Sequence, residues 1–368
     1  MSFELNWGVI GPGRIASTFI NDLLHSHDTL RKDVTSKKIR HKLVAIASSS
    51  SVERARKFKE DSINEASDDG IKCYGSYNEI FNDPKVDILY IATPNLNHYQ
   101  LCFDALSHGK NVLMEKPFTI NYKQAEILAK LAKDKHLFLM EAYWTKFLPV
   151  YREVYDLLFS HDKSPIGEIK RVVSDLSFTF PRDDPGMERI YDPSLGGGVT
   201  LDIGIYSMYW PLGFLDKDCQ LTFPDIAASA NMADTGVDIS TAVILKYNEN
   251  NTLGIATCSG FFDNHSHGVV INGTKGRIEV DDSCVPSEYW VYDEKNEPLI
   301  HKRFNYNGRG MFFEADHVAD CLARGLKESP LHTLSHTIRM AKILDTVRKQ
   351  VGTIYPESLE STETSKTK

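Results

Sequence analysis

The chain has 368 residues, of which 42% are hydrophobic and 25% charged, so its composition is that of a folded protein rather than a disordered or fibrous one. At ~100–200 residues per domain, this length favours two domains. The net charge of −8 argues against a nucleic-acid partner and against an anionic membrane, because both require clustered positive charge.

The first third of the chain alternates short apolar runs with helical patterns. The predicted strands are 7–10, 43–47, 86–92, 111–114 and 137–140, and the predicted helices between them include 52–60, 97–108 and 122–134. Strands separated by helices at this spacing indicate a parallel sheet wound by right-handed crossovers. We therefore predict an α/β fold that begins with a Rossmann domain over residues 1–143.

After residue 149 the pattern becomes strand-rich. The predicted strands are 169–180, 226–231, 239–247, 252–259, 269–272 and 277–280, and two helices follow at 311–323 and 334–350. Tight polar turns between several of these strands are typical of antiparallel hairpins. We predict an α+β domain over 144–355, built on a large, mostly antiparallel open sheet. The tail 356–368, rich in Ser, Thr, Glu and Lys, is predicted to be disordered.

A glycine-rich motif, Gly11-Pro12-Gly13-Arg14-Ile15-Ala16, follows the first predicted strand and opens a helix. It fits the G-x-G-x-x-[G/A] fingerprint in the context that gives the fingerprint its meaning. Gly11 permits the tight turn, Gly13 lets the backbone approach a pyrophosphate, and Ala16 keeps the helix close to the strand. The motif predicts dinucleotide binding.

The end of the second strand indicates which dinucleotide is bound. The run Ser48-Ser49-Ser50-Ser51, with Arg54 close behind, stands where an acidic residue would bind the ribose 2′-hydroxyl. Hydroxyls and a guanidinium can bind a 2′-phosphate, and no carboxylate there would repel it. The residues favour NADP over NAD, although four serines also suit a polar turn and helix cap.

Two more motifs lie at predicted strand ends. Thr93-Pro94-Asn95, with His98 one helical turn on, follows the third strand, and Glu115-Lys116-Pro117 follows the fourth. Open α/β sheets bind ligands at the carboxyl ends of their strands, so Lys116 is predicted to lie beside the nicotinamide. The predicted cofactor contacts are Gly11, Gly13, Arg14, Ile15, Ser48, Ser49, Ser50, Arg54, Thr93, Pro94, Asn95, His98, Glu115 and Lys116.

No metal site is expected. His265 and His267 are two apart, but a metal site needs three or four ligands, so we interpret this segment as a polar loop. The six cysteines form no Cys-x-x-Cys pair, and neither a signal-peptide start nor a membrane-length apolar run is visible. We expect reduced thiols and a cytoplasmic protein.

Taken together, these motifs resemble the Gfo/Idh/MocA oxidoreductase family over almost the whole chain. Three further segments resemble its branch of dimeric dihydrodiol dehydrogenases and NADP-dependent D-xylose dehydrogenases. These segments are 140–149 (MEAYWTKFLP), the Gly196-Gly197-Gly198 run with 201–206 (LDIGIY), and 235–238 (TGVD).

The resemblance implies roles for three residues. Lys116 matches the active-site lysine, Tyr206 the tyrosine that this branch uses as acid/base, and Trp144 an aromatic wall of the substrate pocket. It also implies a homodimer formed through the carboxy-terminal sheet. Two departures stand out: Lys146 replaces a frequent arginine, and Ser49 or Ser50 stands near where an arginine often reads the 2′-phosphate.

Asp202 and Tyr206 are four residues apart, so on a helix they share one face. Free tyrosine has a pKa near ~10 and is a poor base at neutral pH, but a neighbouring ammonium favours the phenolate. In that sense Lys116 and Tyr206 make a working pair, with Asp202 contacting substrate. Without such a contact, Tyr206 is one more core tyrosine.

The sequence therefore predicts an NADP-dependent oxidoreductase acting on a sugar, a polyol or diol, or a small carbonyl compound. Three alternatives stay open: a reductase of another carbonyl or of a biliverdin-like tetrapyrrole, an NADP-binding regulator without catalysis, and a glycosidase that uses a bound nicotinamide transiently. Retention of both Lys116 and Tyr206 speaks against the regulator, and the missing ribose-binding acid speaks against the glycosidase.

Overall fold

The computed structural model describes residues 3–25, 39–63, 70–160 and 163–364, and it divides the chain into two compact units. Unit 1 comprises Met1–Trp144, Tyr306–Thr337 and Ser361–Lys368, and unit 2 comprises Thr145–Asn305 and Ile338–Glu360. The first boundary falls one residue after the predicted end of the Rossmann domain. The segment 31–42 carries six Lys and Arg residues, and its residues 31–38 lie outside the described residues.

Unit 1 is built on a six-stranded parallel sheet with the order β3-β2-β1-β4-β5-β6. Its strands are β1 Phe3–Ile10, β2 Ile39–Ala47, β3 Lys72–Tyr74, β4 Ile88–Ile91, β5 Asn111–Glu115 and β6 Leu139–Ala142. Its helices up to β6 are α1 Arg14–His25, α2 Val52–Ser62, α3 Tyr77–Phe81, α4 His98–Ser107 and α5 Tyr122–Asp134. The strand order reverses between β1 and β4, which opens a ligand crevice at the carboxyl ends of these strands. The predicted Rossmann fold is confirmed.

The helices of unit 1 begin where the sequence supplies caps. Ser51 and Asn121 cap α2 and α5 by accepting the backbone N–H of Arg54 and Gln124. Ser76 and Glu79 form a reciprocal capping box at α3. Each cap satisfies an N–H group that has no partner within its helix. The residues beside each helix start therefore specify where the helix begins.

The first sheet differs from the prediction in several bounds, since β1 and β2 begin at Phe3 and Ile39 rather than at 7 and 43, and in two further details. Strand β6 begins at Leu139, two residues later than expected, because His136 adopts φ 55° and the N–H of Leu137 still bonds to Ala132 at the end of α5. The three-residue strand β3 was not predicted, since Lys72–Tyr74 is too short to show a period.

A later segment of the chain returns to unit 1. It carries α9, Met311–Ala323, whose first turn is held by Asp22 of α1. The Asp22 carboxylate accepts the backbone N–H of Met311 at 2.7 Å and that of Arg309 at 3.0 Å. The prediction of one continuous second domain over 144–355 is therefore corrected, because this long-range cap and the burial of α9 tie residues 306–337 to the Rossmann unit.

Unit 2 contains an eight-stranded sheet with the order β14-β13-β12-β11-β7-β10-β9-β8. The pair β7–β10 is parallel and the remaining pairs are antiparallel. Its strands are β7 Ile169–Ser177, β8 Asp225–Met232, β9 Asp238–Tyr247, β10 Thr252–Ser259, β11 Val269–Gly273, β12 Gly276–Val280, β13 Glu288–Asp293 and β14 Pro298–Arg303. Its helices are α6 Pro149–Phe159, α7 Glu188–Tyr191, α8 Ile205–Leu215, α10 Leu334–Val351 (from Ile338 onwards) and α11 Glu357–Glu360. The predicted mostly antiparallel sheet is confirmed, with β13, β14, α6 and α7 among the additions.

One face of the second sheet packs closely on α8. A Cβ atom at Gly254 of β10 would lie 2.5 Å from Pro211 of α8, so only glycine allows this approach. The hydroxyl of Ser174 on β7 donates to the carbonyl of Ser207 on the same helix. Every residue of α8 is buried, which explains why its sequence shows no polar side.

The prediction of a disordered tail is wrong for its described part. Residues 357–360 form the short helix α11, and the guanidinium of Arg348 bonds to Glu360 at 2.8 Å. Beyond it, in unit 1, Gln124 and Tyr99 donate to the carbonyls of Ser361 and Thr362 at 2.9 and 2.8 Å. Two of these contacts are accepted by backbone carbonyls of the segment itself, which its composition does not reveal. Residues 365–368 lie outside the described residues.

Across the described ranges, no helix combines the length and the apolar character needed to cross a membrane.

Candidate functional site

The glycine-rich loop is the centre of the candidate cofactor site in unit 1. Gly11 has φ +87°, and a Cβ atom on it would lie 2.8 Å from both the Ala92 carbonyl oxygen and the Thr93 side chain. At Gly13, by contrast, an added Cβ would meet only the Gly11 carbonyl, at 4.0 Å. The loop is thus tightly packed on the β4 side and open where a pyrophosphate would approach the start of α1. The exposed positions of Arg14 and Ile15 are also at this helix start.

The serine run at the end of β2 contributes both structure and exposed polar groups. Ser48 is buried, and its hydroxyl oxygen lies 3.0 Å from that of Ser50. Ser51 caps α2, so the helix-cap interpretation holds for this one serine. Ser49, Ser50 and Arg54 are exposed near the carboxyl end of β2 and are available to a ligand phosphate.

The segment after β4 places a buried polar pair below the crevice. Thr93 is buried, and its hydroxyl has no hydrogen-bond partner within the described part of the chain. His98 is fully buried, with one ring nitrogen 2.9 Å from the Thr93 carbonyl and the other 2.8 Å from the Pro117 carbonyl. Burial lowers the pKa of His98, and the two carbonyls oppose that shift. His98 therefore connects the ends of β4 and β5 rather than contacting solvent, whereas Pro94 is exposed and Asn95 is half-buried.

At the end of β5, Glu115 and Lys116 have different surroundings. The Glu115 carboxylate is buried and accepts the hydroxyl of Tyr90 and, at 3.1 Å, the backbone N–H of Lys116. Burial raises the pKa of Glu115, while Tyr90 and Lys116 counteract part of that rise. Glu115 is therefore engaged with the interior of unit 1, and Lys116 is the half-buried residue at this strand end.

The open crevice meets the requirements of a dinucleotide. Three features suit a phosphate-rich ligand: the exposed backbone of Gly13, the Thr93 hydroxyl, which has no partner among the described residues, and the lack of a carboxylate in the run 48–51. When bound, a nicotinamide dinucleotide supplies the hydride acceptor or donor that no amino-acid side chain provides.

In unit 2, the residues predicted to contact substrate lie on one continuous helical stretch. Asp202 is in a π-helical turn, Thr200–Gly204, and Tyr206 is in the first turn of α8. The Asp202 carboxylate forms a two-pronged ion pair with Arg189 of α7, at 3.0 and 3.1 Å. Tyr206 is 7% exposed. A π-helical turn is uncommon and often occurs at a functional site.

The start of this helical stretch is anchored from a distant strand. Asp238 of β9 is fully buried and accepts the N–H of Thr200 at 2.7 Å and the hydroxyl of Thr353 at 3.0 Å. Gly198, with φ +107°, fits against it, since an added Cβ would lie 2.6 Å from the Asp238 carboxylate. Tyr355 donates its hydroxyl to the carbonyl of Gly197. The glycine run is thus a fitted turn rather than a flexible one.

Trp144 and Lys146 lie in the segment 140–149, and both are buried. Trp144 is 6% exposed, and its indole N–H has no hydrogen-bond partner among the residues described. The Lys146 ammonium lies 5.5 Å from the ring centre of Tyr209, which is a cation–π distance. Lys116 and Trp144 belong to unit 1, and Lys146, Asp202 and Tyr206 belong to unit 2.

The histidine pair predicted to form a polar loop has ordinary neighbours. His267 lies 3.3 Å from Glu279 and edge-on to the ring of Trp290. Within the described ranges, no group of three or more His, Cys, Asp or Glu side chains is arranged to hold a metal ion.

Sequence reasoning missed three polar residues around the site. Arg189 was overlooked because the helix that carries it, α7, has only four residues and is too short to show a period. Asp238 and Glu141 were quoted within motifs but were given no role. An acidic residue inside an otherwise apolar strand, as Glu141 is in Leu139–Ala142, is a signal that could have identified one of them, because buried carboxylates need specific partners.

Comparison with known protein families matches both parts of the chain. Residues 5–143 match the profile described as "Oxidoreductase family, NAD-binding Rossmann fold", and residues 161–279 match the GFO/IDH/MocA C-terminal domain.

Similar proteins include a D-xylose 1-dehydrogenase (NADP(+)) from Hypocrea jecorina, 36% identical over 96% of this chain and 94% of that protein. The trans-1,2-dihydrobenzene-1,2-diol dehydrogenase of Homo sapiens is 32% identical over 96% of this chain and 98% of its own length. Among solved structures, the 3-ketoreductase KijD10 from Actinomadura kijaniata, in complex with NADP and TDP-benzene, matches with a TM-score of 0.75 at 24% identity. That alignment covers 96% of this chain and 99% of the other, and it supports the fold.

Proposed function

From the premise that the chain belongs to the Gfo/Idh/MocA family of oxidoreductases, we propose that it is an NADP-dependent dehydrogenase acting on CH–OH groups. Its substrate is a sugar, a polyol or diol, or the corresponding small carbonyl compound. The observation that carries the proposal is the glycine loop, closed at Gly11 and open at Gly13, beside a β2 end with serines and Arg54 instead of a carboxylate. The similarity to an NADP-dependent D-xylose dehydrogenase over 96% of the chain supports the same cofactor and substrate class.

In this proposal, the cofactor is held by the groups around the crevice. The start of α1 at Gly13, Arg14 and Ile15 receives the pyrophosphate. The exposed hydroxyls of Ser49 and Ser50, with the Arg54 guanidinium, receive the 2′-phosphate. The remaining proposed contacts are Gly11, Ser48, Thr93, Pro94, Asn95, His98 and Glu115, of which His98 and Glu115 act through the backbone that they hold.

Lys116 and Tyr206 are the proposed catalytic residues. In the oxidation direction, Tyr206 accepts the proton of the substrate hydroxyl as its carbon gives up hydride, and in reduction it returns that proton. The ammonium of Lys116 favours the phenolate form that accepts the proton. Trp144 and Asp202 orient the substrate, and Arg189 fixes the Asp202 carboxylate through the two-pronged pair.

We also infer a homodimer formed through the face of the second sheet opposite α8. On β9, the exposed residues Ala242 and Ile244 alternate with the buried residues Val243 and Leu245, and Ile244 is 43% exposed. Phe262, 54% exposed, lies beside that face. Exposed apolar residues of this kind are typical of an interaction surface, and a monomeric mass in solution would overturn the dimer. The free thiols of the six cysteines support a reducing, cytoplasmic location.

A substrate panel tests the function. Aldoses, diols and dicarbonyls are offered with NADP and with NAD, and turnover is followed by nicotinamide absorbance. We expect turnover with NADP and a fall in kcat of ~10²–10⁴-fold in Tyr206→Phe, because a positioned acid/base contributes about that much. The matched control is Tyr151→Phe, since Tyr151 is also a buried tyrosine of unit 2. The hydroxyl of Tyr151 has no hydrogen-bond partner in the described ranges. NADP binding without turnover on the whole panel would overturn the enzyme and favour a regulator.

A further inference from the structure

Three buried side chains hold the segment that carries Lys116, each through a different peptide group. Glu115 accepts the N–H of Lys116 at 3.1 Å, and a ring nitrogen of His98 lies 2.8 Å from the carbonyl of Pro117. Glu141 accepts the N–H of Phe118 at 3.1 Å. These side chains come from β5, α4 and β6, so the segment is fixed by three separate elements of unit 1.

Besides the N–H of Phe118, Glu141 contacts two other buried side chains. It is 2% exposed, and its second carboxylate oxygen accepts the hydroxyl of Thr337 at 3.0 Å and lies 3.2 Å from Nε2 of His332. His332 is itself 1% exposed. The Glu141 carboxylate therefore joins residues 332–337 to the peptide that follows Pro117.

A buried carboxylate at this position destabilises the fold unless its contacts compensate for the lost hydration. Desolvating a carboxylate costs several kcal/mol, and an apolar residue of similar size often gives a core at least as stable. The contacts with His332 and Thr337 orient and stabilise the carboxylate, and the third group that it binds is the N–H of Phe118, two residues from Lys116. Because successive Cα atoms are only ~3.8 Å apart, a shift of Phe118 moves the base of the Lys116 side chain.

We propose that Glu141 is a positioning residue that sets the place of the Lys116 ammonium through the Phe118 N–H. The inference rests on the proposed function, since it assumes that Lys116 takes part in the reaction. According to this proposal, Glu141 affects turnover and not the affinity for the cofactor. A misplacement of ~1 Å is enough to reduce a rate ~10²-fold, so a small shift of the segment is sufficient.

The test compares two substitutions of nearly equal size. Glu141→Gln keeps an oxygen that can accept the Phe118 N–H, and Glu141→Met removes it. We expect kcat per NADP-binding site to stay within ~5-fold of the unaltered protein for Gln and to fall ~10–100-fold for Met, with the Kd for NADP within ~2-fold in both. Thr337→Val, which removes one hydrogen bond to the same carboxylate, is expected to lower kcat ~3–10-fold, and it supplies a second measurement if the Met variant does not fold.

The matched control is Asp316→Ala. Asp316 also forms a buried pair with a histidine in unit 1, at 2.6 Å from His41, and both residues are remote in sequence from the Lys116 segment. It is expected to lower stability and to leave kcat unchanged. Lys116→Ala and the double variant with Glu141→Met complete the design, since a residue acting through Lys116 adds no further loss once Lys116 is removed.

Each outcome bears on a separate claim. Losses that multiply in the double variant, equal kcat in the Gln and Met variants, or a loss in Asp316→Ala as large as that in Glu141→Met would overturn the positioning role. If Lys116→Ala is impaired but Glu141→Met and Thr337→Val are not, the inference alone fails. If Lys116→Ala keeps full kcat, the proposed function of Lys116 fails, and the positioning role fails with it.

Discussion

The carboxylate of Asp238 accepts the backbone N–H of Thr200 at 2.7 Å and thereby fixes the start of the helical stretch that carries Asp202 and Tyr206. It also accepts the hydroxyl of Thr353, and Gly198 packs directly against it. A helix start leaves N–H groups without intrahelical partners, and here a buried carboxylate from a distant strand supplies one of them. The placement of Tyr206 therefore depends on a residue of β9.

Replacing Asp238 by alanine should lower the free energy of unfolding by about 2–4 kcal/mol, because the Thr200 N–H and the Thr353 hydroxyl both lose a charged acceptor in the core. Asp238→Asn, which keeps one acceptor oxygen, should cost about half as much. Urea denaturation measures both. Asp234→Ala is the control, since its pair with Arg182 is exposed and contributes at most about 1 kcal/mol. Equal losses in the Ala and Asn variants would show that the acceptor is unimportant.

The two glycines of the fingerprint should respond differently to the same change. Gly11→Ala places a Cβ 2.8 Å from the Ala92 carbonyl at φ +87°, so we expect a loss of about 2–4 kcal/mol in stability. Gly13→Ala meets only the Gly11 carbonyl at 4.0 Å, so the fold should tolerate it. Its added methyl group would occupy the space that a pyrophosphate needs, and the Kd for NADP should rise at least ~10-fold.

Thermal unfolding without NADP and calorimetric titration with NADP separate these two effects. The expected result is a lowered Tm for Gly11→Ala and a nearly unchanged Tm with weakened binding for Gly13→Ala. Tight NADP binding by Gly13→Ala would contradict the placement of the pyrophosphate at this loop.

Arg54 is the proposed cationic contact for the 2′-phosphate, so its removal should affect one cofactor only. In Arg54→Ala we expect the Kd for NADP to rise ~10-fold, equivalent to about 1.4 kcal/mol, and the Kd for NAD to stay the same. Arg56→Ala is the matched control, because Arg56 is an exposed arginine on the same helix, two residues further on. A similar loss of affinity for both cofactors would place the contact elsewhere.

Local patterns were sufficient for the Rossmann sheet and its glycine loop. Strand β5 is a short, mostly buried run, β1 and β2 each end in a buried run, and Gly11 has the positive φ of a left-handed turn, which favours glycine. Strand β6 was misplaced because the turn depends on the positive φ of His136, a conformation that histidine does not signal.

Long-range contacts could not be predicted in the same way. The cap of α9 by Asp22 joins residues 289 apart, and the ion pair of Arg189 with Asp202 joins the short helix α7 to a π-helical turn. Neither contact can be predicted from hydrophobic periodicity or from a sequence motif. The role of Glu141 could not be predicted for the same reason. Its contacts are with Phe118, His332 and Thr337, which are distant from it in sequence.

Glu314 is expected to affect the pH dependence of the protein's stability rather than catalysis. It is fully buried in α9, and within the described chain neither carboxylate oxygen has a hydrogen-bond partner. Burial raises the pKa of Glu314 well above its ordinary value of 4.5, and the neighbouring charges of Glu115 and Asp22 raise it further. The folded protein therefore holds a proton on Glu314 at a pH where the unfolded chain has released it.

The sign of the pH effect follows from this proton. Below about pH 4.5 both states are protonated and Glu314 has no differential effect, whereas at higher pH unfolding releases a proton and the free energy of unfolding falls by up to about 1.4 kcal/mol per pH unit. The fall stops once the pH exceeds the folded pKa. Glu314→Gln cannot ionise, so its stability relative to the unaltered protein should improve as the pH rises above about 4.5.

Urea denaturation at several pH values measures that difference, and the constant cost of burying an amide cancels from its pH dependence. Glu60→Gln, at an exposed position on α2, should show no such trend. A difference between Glu314→Gln and the unaltered protein that stays constant with pH would mean that Glu314 ionises as easily in the folded state as in the unfolded one. Such a carboxylate would need a cationic or hydrogen-bonding partner in the interior, because an isolated buried charge is not stable there.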